Sequence, residues 1–165
     1  MTGSPFIPWP DPRLQMKAET VEVVTDETRE TLKHMVEVMD AMPGYGLAAP
    51  QIGILQRLAV VDCSTERGQS VKLINPMIEQ ASDELFEWNE ASPNLPGVSA
   101  KIKRPAGVVV AFTDIDGNSV SEEFTDLWAT SVQHQIDHLD GKMFFDRLSR
   151  TRRQMLLKKV RKASR

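Results

Sequence analysis

The sequence of 165 residues contains one cysteine, Cys63, and no long apolar run. A single cysteine excludes a framework of internal disulfides and suits a reducing compartment, so we expect a cytoplasmic location. No segment approaches the roughly 20 apolar residues of a membrane helix. The first residues also lack the basic and apolar segments of a signal peptide, so we expect no membrane insertion.

Positive charge is scarce outside the C-terminal end. Residues 147–165 hold nine Lys and Arg and no acidic residue, whereas the other 146 residues hold 11 basic and 23 acidic residues. This distribution excludes a uniformly basic nucleic-acid-binding protein. The length and the hydrophobic content of 41% fit a single domain over residues 1–165.

The predicted elements indicate an α+β fold. Four prolines in the first 15 residues exclude a regular helix, so we expect this segment to run extended over the surface. A helix is predicted from the N-cap Asp26 to a stop at Pro43 and Gly44. Its apolar stripe, at helical spacing, consists of Leu32, Met35, Val36 and Met39.

Strands and two further helices follow. Strands are predicted at 58–62, 71–75 and 107–113, and a turn at Asp116–Gly117 predicts that 119–124 pairs back on the last of them. A helix is predicted over about 126–139, stopped by Gly141, and a basic helix over about 150–163. The absence of βαβ alternation favours α+β over α/β.

Two histidines, His134 and His138, lie four residues apart in the second predicted helix. Residues at this spacing share one helix face, so both imidazoles can reach one metal ion. Leu127 and Ser131 lie on the same face, which can therefore line a pocket. The opposite stripe is apolar and consists of Trp128, Val132, Ile136 and Leu139. The alternative is that both histidines are exposed polar residues of an amphipathic helix.

Two loop segments carry weaker signals. GYGLAAPQ at 44–51 is rich in small residues, which let the backbone approach a ligand closely, but it is also typical of a turn after a helix. EASPNLP at 90–96 is, by itself, typical of a surface loop. Tyr45 and Trp88 are bulky neighbours of these segments, and they either shape a pocket or pack elsewhere.

Taken together and in this order, the three segments resemble the motifs of the peptide deformylase family, G-x-G-L-A-A-x-Q, E-G-C-L-S-x-P and H-E-x-D-H. The similarity continues through LINP at 73–76, IKRP at 102–105, DIDG at 114–117 and HLDGKMFFDRLS at 138–149. The resemblance implies an α+β, peptide-deformylase-like fold. Its antiparallel or mixed sheets would surround a central helix that carries both histidines, and a basic helix would end the chain.

The resemblance also implies an activity, the removal of formyl from N-formylmethionyl peptides. The family's divalent metal, Fe, Zn, Ni or Co, would be held by His134, His138 and a loop cysteine. A helix glutamate would act as the general base, and Gln51 with a loop N–H would stabilise the oxyanion. We expect the substrate to contact Gly44, Tyr45, Gly46, Leu47, Glu90, Pro93, Leu127 and Ser131.

Three positions depart from the family pattern. Ser92 stands where the family has its cysteine ligand, and a neutral hydroxyl binds a divalent metal far more weakly than a thiolate. Gln135 replaces the glutamate, and an amide cannot act as a general base. Pro93 replaces leucine and removes an oxyanion N–H. We therefore expect a metal that binds weakly or not at all, and deformylation that is lost or strongly impaired.

Three functions remain open on the sequence. The chain is a degenerate member that binds a peptide N-terminus or a small acyl or formyl ligand. Alternatively, Ser92 and a histidine form a nucleophile–base pair for hydrolase or acyl-transfer chemistry. Alternatively, Glu90 or a water completes the coordination of a metal, and residual deformylase activity survives.

The basic C-terminal helix has two interpretations. Its charged residues form a solvated face, while Leu156, Leu157 and Val160 dock the helix on the body. Alternatively, the charges contact phosphate, and the resemblance then implies the ribosome as the partner.

Overall fold

The structure is a computed structural model that describes residues 3–163. Its helices are α1 (Asp26–Ala41), α2 (Asp126–Leu139) and α3 (Arg150–Ala163). Its strands are β1 (Gly46–Ala48), β2 (Leu58–Val61), β3 (Val71–Ala81), β4 (Leu85–Glu90), β5 (Ala100–Pro105), β6 (Gly107–Thr113) and β7 (Ser119–Thr125). Short 3₁₀ turns cover Pro12–Gln15, Ala49–Ile52 and Phe144–Arg147.

Two antiparallel sheets organise the fold. The larger sheet has the strand order β1-β2-β3-β6-β7, and β4 pairs with β5 in a separate hairpin. The predicted β6–β7 hairpin is confirmed, with Thr113 opposite Ser119. Its turn is closed by the Asp114 carboxylate, which accepts hydrogen bonds from the backbone of Asp116 and Asn118. The α+β class is therefore confirmed.

Helix α2 lies at the centre of the molecule. Every residue from position 129 to position 139 is buried, and the helix contacts strands of both sheets. Val132, Ile136 and Leu139 pack into the core of the large sheet, as the apolar stripe predicts. The alternative that the two histidines are exposed is wrong, because the β4–β5 hairpin and the Phe144–Arg147 turn cover their face.

Helix α1 packs on the opposite face of the large sheet. Leu32, Met35 and Met39 are fully buried there. The predicted cap, Asp26, is corrected to Thr25, whose hydroxyl accepts from the amide of Thr28 while the Thr28 hydroxyl accepts from the amide of Thr25. This reciprocal pair satisfies two backbone donors, and Asp26 instead lies in the first turn, where its charge favours the helix dipole.

Several other boundaries differ from the sequence predictions. Strand β3 continues to Ala81 through register shifts, because residues beyond position 75 pair with β6. The β4–β5 hairpin is not predicted, since its strands carry charged side chains and little continuous apolar pattern. The N-terminal segment is not purely superficial, because Leu14 is buried against Phe144 and Phe145.

Helix α3 closes a third apolar cluster. Leu156 is buried, with Leu157 and Val160 packed beside it, so the predicted docking residues are confirmed. Among the described residues, no helix is long and apolar enough to cross a bilayer.

Candidate active site

A cavity of about 240 Å³, which we call the cleft, opens beside α2, between the segment that precedes β1 and the β4–β5 hairpin. It brings the three sequence motifs together: its lining includes Gly44, Tyr45, Gly46, Gln51, Glu90, Pro93, Leu127, Ser131, His134 and Gln135. Leu47 does not belong to this lining. Its side chain points the other way from β1 and is fully buried against α1, because successive strand residues face opposite sides.

The two imidazoles converge through their Nε2 atoms, which lie 3.1 Å apart. His134 Nδ1 lies 2.8 Å from Glu90 Oε1, and the carboxylate can only accept, so Nδ1 of His134 carries a proton. Burial lowers the pKa of His138 well below its ordinary value, and the neighbouring His134 and Arg104 add to this shift. A neutral His138 then donates from Nε2, and its buried Nδ1 has no hydrogen-bond partner among the described residues.

A buried ion-pair cluster lies behind the histidines. Arg104 binds both oxygens of Glu90, at 2.7 and 2.9 Å, and also donates to Asp137 at 2.9 Å. Arg147 pairs with the same aspartate from the surface side. Burial raises the pKa values of Glu90 and Asp137. The hydrogen bonds from His134 and the arginines outweigh this effect, so both pKa values are below their ordinary range.

This cluster orients only one imidazole. Glu90 holds His134 through Nδ1 and so directs Nε2 toward His138. The side chain of Asp137 is fully engaged by Arg104 and Arg147, on another side of α2 from the histidine pair. Sequence reasoning missed Arg104, which the IKRP segment contains, because nothing in a strand pattern distinguishes a buried arginine from an exposed one.

The loop after β4 forms a closed hydrogen-bond network. Asn94 Oδ1 accepts from Ser92 Oγ at 3.1 Å and from Gln51 Nε2 at 2.9 Å. Gln51 Nε2 also donates to Ser92 Oγ at 3.3 Å, while Gln51 Oε1 accepts from the amide of Ala48. The Asn94 amide donates to the carbonyl groups of Ile7 and Gln51. Within the described part of the chain, Ser92 has no hydrogen bond to either histidine.

This network occupies the side chain that the resemblance assigns to the oxyanion, Gln51. Both amide protons of Gln51 point to Asn94 and Ser92, so neither is directed into the cavity. Pro93 lines the cavity but has no N–H. Neither of the two expected oxyanion donors is therefore free in this arrangement. The role of Asn94 is not predicted from the sequence, because its partners Gln51 and Ile7 lie more than 40 positions away.

Gln135 presents an unsatisfied acceptor at the cavity. Its Oε1 atom is buried and has no hydrogen-bond partner among residues 3–163. Gly46 makes this approach possible: a Cβ atom there would lie 2.5 Å from both Gln135 Nε2 and Ser131 Oγ. The Ser131 hydroxyl instead donates to the Tyr45 carbonyl at 2.9 Å. A buried carbonyl without a donor costs free energy, which a ligand N–H would recover.

Aromatic side chains form one wall of the cavity mouth. Tyr45 meets Trp88 edge to face at 6.2 Å between ring centroids, and Phe86 stacks on Trp88. Tyr45 and Trp88 both line the cavity, so these two rings shape the pocket. Cys63 lies beside this wall, with its Sγ 3.9 Å from the Tyr45 carbonyl, and burial raises its pKa to about 12.

The side chains present do not match the family's metal-binding set. Within residues 3–163, no three His, Cys, Asp or Glu side chains form a group that could hold an ion. Two imidazole nitrogens converge, but the third position is a neutral hydroxyl that donates to Asn94. Glu90, the other ligand considered, faces Nδ1 of His134 and the Arg104 guanidinium rather than the shared Nε2 side.

Comparisons with known proteins identify the family of the chain. The family model for polypeptide deformylase matches residues 4–154. Similar proteins include a peptide deformylase of Agrobacterium fabrum, 39% identical over 100% of this chain and 98% of the relative. A peptide deformylase-like protein of Bradyrhizobium diazoefficiens is 38% identical over 100% of this chain and 96% of the relative.

Solved structures show the same likeness. The peptide deformylase from Ehrlichia chaffeensis, in complex with actinonin, superposes with a TM-score of 0.88 at 33% identity, over 100% of this chain and 99% of that one. Sequence motifs, cavity and fold therefore agree, and the chain belongs to the peptide deformylase family.

Proposed function

We propose that this protein deformylates N-formylmethionyl peptides slowly or not at all, and that its cleft binds an acylated peptide N-terminus or a related small acyl ligand. The observation that carries the proposal is the closed Gln51–Asn94–Ser92 network. It ties up the residues at the family's ligand and oxyanion positions in bonds to one another.

The remaining chemistry supports a large loss of rate. Gln135 cannot take a proton from water, and a general base typically contributes about 10²–10⁴-fold. One oxyanion donor contributes about 10²–10³-fold, and both are withheld here. These losses act on one step, so they do not multiply.

Binding, in contrast, is supported by what the cavity retains. Gln135 Oε1 and Thr130 Oγ1 are buried at its wall and lack partners among the described residues. A secondary amide brings an N–H donor that suits the first of these atoms. Leu127 and the aromatic wall offer apolar surface to the side chain of the first residue.

The test combines an activity assay with a binding measurement on the purified protein. We expect negligible release of formate from a formyl-Met tripeptide, little or no bound divalent metal, and calorimetric binding of the same peptide. Gln135→Leu removes the unpaired acceptor, so binding should weaken about two- to tenfold without loss of stability. Gln154→Leu on the exposed face of α3 is the matched control and should change neither quantity.

An ordinary deformylase activity with stoichiometric metal would overturn the proposal. That outcome is the second candidate function, a residual metal-dependent deformylase, and the convergence of the two Nε2 atoms favours it. Fe, Zn, Ni or Co would then be found by elemental analysis of the protein as purified.

A serine-based hydrolase or acyltransferase is the remaining candidate. The Ser92 hydroxyl donates to Asn94, and this bond offers it no general base. We therefore expect no labelling of Ser92 by a fluorophosphonate probe, and labelling that requires His134 or His138 would favour this candidate.

The basic helix α3 supports a further partner, the ribosome. Its charged residues other than Arg153 are exposed, while the buried Leu156 holds the helix on the body. We propose that the ribosome contact uses these charges.

A further inference from the structure

A second cavity lies on the other side of the β4–β5 hairpin. We call it the basic groove and define it by Val98, Lys101, Leu148, Arg152, Leu156 and Lys159. Its volume is about 490 Å³, roughly twice that of the cleft. Helix α3 forms one wall and the start of β5 forms the other.

The charged residues of the groove are all of one sign. Lys101, Arg152 and Lys159 are exposed, and none has an ion-pair partner among the described residues. Their neighbour Arg153 differs, because it is bound by Asp146 at 2.8 Å and lies over the Phe145 ring. No acidic side chain belongs to the described lining of the groove. The three cations therefore converge on one space without an internal counter-charge.

The basic groove and the cleft share one lining residue. Asn89 lines both cavities, on β4 between the cleft residue Trp88 and the buried Glu90. A peptide with its N-terminus in the cleft can pass the Asn89 edge and reach the groove within a few residues, since an extended chain advances about 3.3 Å per residue.

The charge of the groove favours peptides with acidic residues after the N-terminus. Residues 1–146 carry 11 basic and 23 acidic residues, so an acidic peptide is repelled by most of the surface. In the groove, the same peptide meets three cations that have no ion-pair partner within residues 3–163, beside the apolar side chains of Val98, Leu148 and Leu156.

We propose that the basic groove binds acidic residues that follow the N-terminus of a peptide held in the cleft. This proposal rests on the proposed function and deepens it: the ligand is an acylated peptide with Asp or Glu a few residues from its start. The cleft then binds the acylated N-terminus, and the groove binds the acidic side chains.

The experiment measures fluorescence anisotropy with three peptides labelled at the C-terminus. One has formyl-Met-Ala-Ala followed by three acidic residues, and the second has Asn and Gln in place of these acids. The third has the acidic residues after a Gly-Ser stretch with no acylated methionine. We expect the first to bind about tenfold more tightly than the second in 50 mM salt, with most of this difference lost in 500 mM salt.

Single substitutions in the groove test whether the preference for the acidic peptide arises there. Lys101→Gln, Arg152→Gln and Lys159→Gln should each weaken the acidic peptide about two- to fivefold and leave the neutral peptide unchanged. Lys158→Gln is the matched control, because Lys158 is exposed on the same helix but does not line the groove. It should leave both peptides unchanged.

The outcomes separate the two proposals. Equal binding of the acidic and neutral formyl peptides overturns the groove proposal and leaves the cleft proposal standing. Equal binding of both acidic peptides, with none of the neutral one, shows that acidic residues bind without an acylated terminus. That outcome overturns the cleft proposal and, with it, the linked recognition of terminus and charge. If no peptide binds, both are rejected. A loss with Lys158→Gln as large as with Lys159→Gln, or tighter binding of an RNA oligonucleotide, shows a general polyanion surface and overturns the groove proposal.

Discussion

Asn94 is the single side chain on which the loop network depends. Its amide makes four hydrogen bonds: it accepts from Gln51 and Ser92 and donates to two backbone carbonyls. Restoring the family's chemistry therefore needs more than the three changes that the motif comparison suggests, because Gln51 stays engaged while Asn94 is present.

The combined variant Ser92→Cys, Pro93→Leu, Gln135→Glu should bind a divalent metal, because a thiolate joins two imidazoles and a general base is restored. We expect about one equivalent of metal by elemental analysis, against little in the unchanged protein. Adding Asn94→Ser should raise formate release about 10²-fold or more by freeing the Gln51 amide. Ser92→Cys alone serves as the control for metal binding without catalysis. If the variant with all four substitutions binds no metal, residue 92 and the two histidines do not converge on one site.

Cys63 offers a check on the environment behind the aromatic wall. Burial raises the pKa of its thiol to about 12, so very little thiolate is present at pH 8. Iodoacetamide should label the native protein far more slowly than the unfolded chain in 6 M guanidinium. Mass spectrometry at fixed times measures the two rates, and similar rates would contradict this environment.

At the scale of elements, the position of α2 relative to β5 depends on Arg104. Arg104 is 2% exposed, and its guanidinium bridges Glu90, the last residue of β4, to Asp137 on α2. Its two partners are buried carboxylates, so the arginine is the charge that allows the hairpin to pack against the helix.

Arg104→Met should lower the free energy of unfolding by about 3–5 kcal/mol at pH 7, because two buried carboxylates lose their shared partner. Arg13→Met, at an exposed pair with Asp11, is the control and should have little effect. Chemical denaturation measures both values, and a similar small loss in the two variants would contradict a structural role for Arg104.

The free energy of unfolding should depend on pH differently in the unchanged protein and in Arg104→Met. In the unchanged protein the pKa values of Glu90 and Asp137 are lowered, so their stabilising contribution is present at pH 7 and is lost only as the pH falls below the ordinary range of a carboxyl group. In Arg104→Met the carboxyl of Glu90 is buried without a cation bound to both its oxygens, so protonation stabilises the variant. The stability gap should therefore narrow from pH 7 to pH 4, and a constant gap would contradict this assignment.

At the scale of the whole molecule, charge is divided between an acidic body and a basic end. Residues 147–165 contain nine Lys and Arg. Most of these residues belong to α3, which places them together at one side of the domain. Two sets of basic residues on α3 can serve different partners, because they lie on different sides of the helix. Arg152 and Lys159 line the basic groove, whereas Arg150 and Lys158 lie outside it.

Replacing Arg150 and Lys158 by glutamate should reduce co-sedimentation with ribosomes in 50 mM salt severalfold, since phosphate contacts of this kind depend on counterion release. Raising the salt to 300 mM should remove the binding of the unchanged protein as well. Lys33→Glu with Lys142→Glu, away from α3, is the charge-matched control. Pelleting that is unaffected by the α3 changes would remove the ribosome proposal.

Local patterns in the sequence were sufficient for much of this fold. The spacing of apolar residues predicts α1 and α2, the basic C-terminal segment predicts α3, and the Asp116–Gly117 turn predicts the β6–β7 hairpin. Each of these signals depends on residues that are close in the chain. The three substitutions at the candidate site are likewise visible in the sequence once its motifs are aligned with the family.

Other features depend on contacts between distant residues, which only the tertiary structure decides. Asn94 meets Gln51 across 43 positions, Arg104 meets Asp137 across 33, and the strands of the β4–β5 hairpin are recognised by their pairing rather than by their pattern. The sequence by itself determined that Ser92, Pro93 and Gln135 stand at positions where the resemblance implies a ligand, an oxyanion N–H and a base, because those are statements about residue types. The burial of both histidines, the engagement of Gln51 and the meeting of three cations beside the cleft are set by packing, since each requires elements that are far apart in the chain to lie together.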